Sequence, residues 1–166
     1  ASLDNVQLGL ANMTAVSGRV NLQKVSEQLL VIDDSYNANV RSVNAASDLL
    51  SSYIGKSILV LGDMAELGNE GVSLHQDVGK YALTSGVNFL FSYGELSRHA
   101  SSVFRYSSAL SGQHFEDKAQ LVTHINKIIA QTSEPVTVLV KGSRSAKMEL
   151  VVTELVKNNN DSTNKV

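Results

Sequence analysis

Leu29-Leu30-Val31-Ile32-Asp33-Asp34-Ser35-Tyr36-Asn37-Ala38-Asn39 decides the fold. Four apolar residues make a short buried strand, and the run stops at two carboxylates. A polar, aromatic turn follows. From residue 40 the spacing changes: Val43, Ala46, Leu50 and Tyr53 recur at helical intervals, and Gly55 is the expected stop. A buried strand, a polar turn and an amphipathic helix are the elements of a βαβ unit.

The same grammar runs forward. Residues 57–61 read as a strand, followed by a glycine-punctuated loop over residues 62–71. Leu74, Val78, Tyr81 and Ala82 form a helical stripe that Gly86 stops before a strand at residues 88–92. Leu96, Ala100, Val103 and Phe104, then Leu121, Ile125, Ile128 and Ile129, fit helical spacing. Glu134-Pro135 introduces a strand at residues 136–140, and Met148, Val151, Val152 and Leu155 close with a helix. Backward from the opening stretch, residues 4–13 read as a short helix with a break at Ser17-Gly18. The polar segment 158–166 is expected to fray into a disordered tail, and there is no internal repeat. The predicted fold is α/β: three layers, a mostly parallel sheet with helices on both faces and right-handed crossovers. Such sheets bind ligands beyond the carboxyl ends of their strands. Those ends are Asp33-Asp34-Ser35, Gly62-Asp63, Ser92-Tyr93-Gly94 and Lys141-Gly142-Ser143.

Composition narrows the class. The 166 residues are one domain's worth of chain, 43% apolar. Fourteen basic against sixteen acidic side chains, a net charge of −2, offer no basic patch for nucleic acid. No apolar run approaches the roughly 18 residues of a spanning helix, and Ala1-Ser2-Leu3-Asp4 lacks the character of a secretory signal. The chain has no cysteine, so disulfides, thiolate metal sites and thiol nucleophiles are excluded. These features fit a cytosolic protein.

Each strand-end motif has two readings. Residues 33–39 form either a ligand-binding turn or a plain helix cap in which Asp34, Asn37 or Asn39 serves the helix behind it. Lys141-Gly142-Ser143-Arg144-Ser145 reads either as an anion site at the start of the last helix or as a serine cap with solvated cations. It is not a phosphate loop of the Walker type. Gly62-Asp63-Met64-Ala65-Glu66-Leu67-Gly68 with His75 downstream matches no metal-ligand spacing and reads as a structured loop. His99, His114 and His124 are expected at the surface. Nothing in the residues alone singles out Arg19.

Taken in order, these motifs resemble the C-terminal domain of the Mur ligases, in particular the branch that adds D-alanyl-D-alanine. The matching stretches are Gly18-Arg19, residues 33–39, Leu61-Gly-Asp-Met-Ala-Glu-Leu-Gly68, His75, and residues 140–149, Val-Lys-Gly-Ser-Arg-Ser-Ala-Lys-Met-Glu. One departure is Val40, where many relatives carry proline. The resemblance implies a three-domain bacterial cytoplasmic enzyme of peptidoglycan synthesis, monomeric, with a C-terminal domain of Rossmann-like, dinucleotide-binding type. Residues 1–18 would be the end of the central ATPase domain and linker, 19–157 the C-terminal domain. ATP would phosphorylate the carboxylate of UDP-N-acetylmuramoyl-tripeptide. The amine of D-alanyl-D-alanine would attack the acyl phosphate, with Mg2+ held by the central domain. Carried over by position, Arg19 and Lys141 are catalytic, Asp34, Tyr36, Asn37 and Asn39 bind the nucleotide, and Ser143 and Arg144 bind substrate. No metal ligand is assigned to this chain, which alone would not catalyse.

Two other classes share parts of the pattern. A phospho-acceptor receiver domain also carries an acidic pair, a later aspartate and a last-strand lysine, imitated by Asp33-Asp34, Asp63 and Lys141. A receiver places more elements between pair and acceptor than the single helix seen here. A non-catalytic nucleotide-binding module is the other alternative.

Overall fold

The computed structural model describes residues 18–104 and 111–163. The helix expected at residues 4–13 and Ser17 of the break after it lie outside them. The described elements are β1 (Asn21–Lys24), β2 (Leu29–Asp34), α1 (Val40–Ser51), β3 (Lys56–Gly62), α2 (Gly71–Ser85), β4 (Phe89–Tyr93), α3 (Arg98–Phe104), β5 (Ser111–Phe115), α4 (Lys118–Gln131), β6 (Val136–Lys141) and α5 (Glu149–Thr163). Short 3-10 turns occupy Gly68–Glu70 and Arg144–Ala146.

The six strands form one sheet in the order β1-β2-β6-β3-β4-β5. All neighbouring pairs are parallel except β1 with β2. Strand side chains alternate between faces, so each central strand feeds two cores. Val31, Ile58, Val60, Phe91, Val138 and Val140 pack with α4 and α5. Ile32, Leu59, Leu61, Leu90 and Leu139 pack with α1, α2 and α3. The connections β2–α1–β3–α2–β4–α3–β5 advance across the sheet on one face. The return from β5 to β6 runs through α4 on the other face. Reversing both direction and face preserves the hand, as the crossover rule requires. The expected three-layer α/β architecture is what the chain adopts.

Two strands escape sequence reading. β1, Asn-Leu-Gln-Lys, and β5, Ser-Gly-Gln-His-Phe, lie at the sheet's edges, where a single neighbour suffices and mixed polarity is tolerated. With β5 unforeseen, His114 was expected at the surface. Its side chain is instead only 18% exposed, and its Nδ1 lies 3.0 Å from Ser92 Oγ. His124 is likewise half-buried, its ring 4.9 Å from that of Phe91 and 5.3 Å from that of Phe115. The polar stretch expected to fray from residue 158 continues α5 to Thr163. Asn159 ties it down, its Nδ2 donating to Leu155 O at 2.8 Å and to Asn126 Oδ1 of α4 at 3.0 Å.

The structured-loop reading of residues 62–68 follows from His75. Its ring is fully buried; Nε2 accepts from Met64 N at 3.0 Å and Nδ1 donates to Gly71 O at 2.7 Å. That pattern requires a neutral ring, because a proton on Nε2 would face another donor. Burial lowers its pKa, against the Gly71 hydrogen bond and Asp63, which raise it. The folded state therefore takes up this proton at lower pH than the unfolded chain does. The resulting stability is present above the ordinary histidine pKa of about 6.5 and is lost as pH falls through it. Chemical denaturation from about pH 7.5 down to about pH 5 should show declining stability, with a shallower decline in His75→Asn.

Helix α1 opens on Asn39, whose side chain accepts from Ser42 N while the Ser42 hydroxyl accepts from Asn39 N, a reciprocal capping box. Val40 is the first helical residue, where the N–H has no intrahelical acceptor and proline is favoured. Asn39 has φ −137° and ψ 170°, the extended geometry that a following proline demands. Val40→Pro should therefore raise unfolding free energy by about 0.4–1 kcal/mol, measured by urea denaturation.

Candidate functional site

The order of the sheet creates one crevice. β6 lies between β2 and β3, whose chains leave toward α1 and α2 on one face, while the chain leaving β6 enters α5 on the other. Loops thus part in opposite directions at the carboxyl end of β6, the place where such sheets hold ligands. The strand register puts Asp34, the last residue of β2, beside Lys141, the last residue of β6.

Lys141 is only 2% exposed. Its Nζ donates to Asp34 Oδ2 and to the Asn37 carbonyl, each at 2.8 Å. A buried ammonium needs such partners, and here they anchor the whole turn after β2 to β6. Among the described residues the other Asp34 oxygen, Oδ1, meets only Val20 N, at 3.4 Å.

Residues 18–20 dock onto that turn. Tyr36 N donates to Gly18 O at 2.7 Å. Gly18 has φ +80°, and a Cβ there would stand 3.0 Å from Tyr36 N and 3.1 Å from Tyr36 Cβ, so this position requires glycine. Val20 follows at φ +42°, a strained conformation for a β-branched residue. This docking brings the Arg19 guanidinium to 4.5 Å from the centre of the Tyr36 ring. Arg144 approaches the same ring at 5.8 Å. Tyr36 itself is 40% exposed. An exposed ring attended by two guanidinium groups beside a carboxylate suits a ligand that combines planar, hydroxyl and anionic parts.

The remaining candidates divide. Asp33 is nearly buried and accepts from Ser35 N at 3.1 Å and Ser35 Oγ at 2.6 Å, which shapes the turn. Asn39 is the α1 cap, and the Asn37 side chain accepts from Ala38 N. Ser143 is 2% exposed; its N donates to Asp63 O at 2.8 Å, and its hydroxyl lies 3.1 Å from Ser145 Oγ. Arg144 is exposed, 3.9 Å from Glu149 Oε1. The expected helix start at Ser143 is replaced by the 3-10 turn, and α5 begins only at Glu149. Met148 explains the delay. It packs over the strand ends so closely that a Cβ on Gly62 or Gly142 would lie 2.6 Å from its Cγ. The chain must climb across that side chain before it can wind.

Asp63 is spent on structure: its Oδ1 accepts from Leu96 N at 3.1 Å and Ser97 N at 2.7 Å. Among the described residues no three His, Cys, Asp or Glu side chains converge as a metal site. Residue spacing missed Arg19 because its position depends on the conformation of Gly18 and on contact with Tyr36. The only local signal is the Gly-Arg dipeptide itself.

The Asp34–Lys141 pair makes a stability prediction. Lys141→Met leaves the Asp34 carboxylate, only 14% exposed, and the Asn37 carbonyl without their donor. The cost should be about 3 kcal/mol, and Asp34→Asn added to it should recover part of the loss. Urea unfolding of the two single variants and the double variant measures the coupling.

The comparisons with known proteins agree with this fold. The family model described as Mur ligase, glutamate ligase domain, matches residues 18–144. The UDP-N-acetylmuramoyl-tripeptide–D-alanyl-D-alanine ligase of Escherichia coli K12 is 45% identical over 158 residues, covering 95% of this chain and 34% of that protein. The ligase of the same name from Haemophilus influenzae is 40% identical, covering 93% of this chain and 33% of that protein. A crystal structure of MurF from Acinetobacter baumannii superposes with a TM-score of 0.78 at 28% identity, covering 95% of this chain and 34% of that one. The chain thus spans about a third of the length of these relatives. It belongs to the Mur ligase family, of which it represents the C-terminal domain.

Proposed function

We propose that this chain is the C-terminal domain of a bacterial cytoplasmic ligase that adds D-alanyl-D-alanine to UDP-N-acetylmuramoyl-tripeptide in peptidoglycan synthesis. ATP would activate the tripeptide carboxylate as an acyl phosphate, and the dipeptide amine would displace the phosphate. The observation that carries this reading is the convergence of Arg19 and Arg144 on Tyr36, beside Asp34, in the crevice at the end of β6. The names of the relatives supply the substrates.

The residues fit a nucleotide. Asp34 Oδ1 has acceptor capacity to spare for a ribose hydroxyl, because its one contact among the described residues is long. The exposed Tyr36 ring offers a stacking surface, and Asn37 and Asn39 are exposed in the same turn. Arg19 supplies a cation for phosphate oxygens. Lys141 acts through its pair with Asp34, which fixes the carboxylate's position. Arg144 faces the substrate side, and Ser143 shapes the turn that carries it. Magnesium, held by the central domain, would neutralise phosphate charge during transfer. The N-terminal and central domains would lie on the same polypeptide, so the isolated chain should release no phosphate from ATP.

Charge accumulates on phosphoryl and carbonyl oxygens in such a reaction, so a preplaced guanidinium stabilises the transition state more than the resting complex. In the full-length ligase, Arg19→Ala should lower kcat roughly 100-fold or more. Arg19→Lys should restore only part, since an ammonium lacks the planar fork. Arg19 is exposed, so unfolding of the isolated chain should barely change. Coupled assays of ADP release with D-alanyl-D-alanine check this, and a variant with normal kcat removes Arg19 from the site.

A further inference from the structure

The far edge of the sheet is β5, which pairs with β4 alone among the described residues. Its sequence, Ser-Gly-Gln-His-Phe, holds neither the lysine nor the proline that commonly blocks an open edge. The opposite edge strand, β1, carries Lys24. Successive side chains of a strand point to opposite faces, so His114 and Phe115 leave β5 on different sides of the sheet. Each lines a cleft. On the α3 side, about 390 Å³ lies between His114 and Arg98, His99, Ser101 and Ser102. On the α4 side, about 350 Å³ lies between Phe115 and Ala119, Gln120, Thr123, His124 and Lys127. The two clefts straddle the edge strand.

Their chemistry differs. On the α3 side, Arg98 Nη2 donates to Glu116 Oε1 at 3.2 Å, and His114 Nε2 lies 3.3 Å from the same oxygen. Glu116 is thus shared between two groups, while a guanidinium has five N–H donors to offer. On the α4 side, the rings of Phe115 and His124 stand 5.3 Å apart. Burial, and after it the charge of Lys127, lowers the pKa of His124, so its ring is uncharged at neutral pH. No carboxylate lines either cleft. One side therefore suits an acidic side chain and the other an apolar one.

A strand added at this edge has the matching period. One of its side chains enters the α3-side cleft and the next enters the α4-side cleft, while its backbone pairs along residues 113–115. A second copy of this chain suits the edge poorly. A two-fold axis normal to the sheet brings like faces together and sets Arg98 and Lys127 against the same cations of the copy. We propose that the β5 edge docks an extended segment of a partner protein that alternates acidic and apolar side chains, the acids facing Arg98 and His99. The edge lies three strands from β6 and uses none of the residues assigned to the ligation.

The test uses the full-length protein and a short, end-capped, fluorescent peptide that alternates aspartate with leucine, followed by anisotropy. Binding should saturate below about 1 mM. A peptide of the same composition with its aspartates grouped should bind at least about 10-fold more weakly. Alternate backbone N–H groups of a strand face opposite sides. Methylating the aspartate nitrogens or the leucine nitrogens should therefore differ, one set weakening binding about 10-fold and the other less than about twofold. Arg98→Glu combined with His99→Glu should weaken the aspartate peptide about 10-fold and favour its lysine counterpart, while ligation by the same enzyme stays within about twofold. Arg98→Gln, a milder change, should weaken the aspartate peptide in the same direction if the paired variant does not fold. The proposal is overturned if binding does not saturate, if the grouped peptide binds as well, if the two methylated peptides behave alike, or if Arg98→Gln binds as wild type does. Dimers in sedimentation that the peptide dissociates would assign the edge to a second copy and overturn it too.

Discussion

The site depends on one buried ammonium. Lys141 has water on almost none of its surface, and its charge is answered by Asp34 and by the Asn37 carbonyl. Both partners, the last residue of β2 and the turn behind it, lie more than a hundred residues earlier in the chain. They meet because β2 and β6 pair in a register fixed by their buried side chains. A slip of one residue would turn every apolar residue of β6 to the opposite core and carry Lys141 away from Asp34. The hydrophobic pattern of the sheet therefore sets the geometry of a polar site. The turn that bears Tyr36 is thereby pinned to β6, and the tyrosine stays exposed at the sheet edge with Arg19 and Arg144 beside its ring.

The rest of the sheet edge is built to keep that position. Met148 covers the ends of β3 and β6, and Gly62 and Gly142 leave it the room to do so. Asp63 looks like a reactive carboxylate in sequence. In the structure it ties the start of α3 to β3 through two backbone N–H groups, and its own carbonyl receives Ser143 N. A receiver domain would need this aspartate open to a phosphate donor. Its engagement with Leu96 and Ser97 and the family assignment both speak for a different protein class.

Central elements were legible in sequence because burial imposes a period on them. Residues 29–32 and 136–140 lie within the sheet and read as predominantly apolar runs. The helices show their stripes because each covers one face of the sheet. β1 and β5 stayed hidden, since an edge strand with one neighbour is free of that demand. The start of α5 was misplaced for a related reason. Ser143 and Ser145 look like helix caps, but the packing of Met148 across two glycines outweighs local capping preference. For residues 33–39 the two readings divide by residue: Asn39 caps α1, while Asp34 and Tyr36 stay at the crevice. The placement of Arg19 beside Tyr36 was not legible in residue spacing, because it rests on a backbone conformation at Gly18 that composition does not encode.

The charges around Tyr36 are unevenly matched. Three cations, Arg19, Lys141 and Arg144, stand near two carboxylates, Asp34 and Glu149. Lys141 is matched closely by Asp34, at 2.8 Å, and Arg144 loosely by Glu149, at 3.9 Å. Arg19 has no acid partner among the described residues; its contact is with the Tyr36 ring. An exposed cation–π contact contributes about 0.5–1 kcal/mol, which favours a position for the guanidinium without neutralising it. The uncompensated charge therefore lies at the exposed mouth of the crevice, beside the stacking face. Phosphate oxygens arriving there would meet a cation already in place, with little reorganisation left to perform.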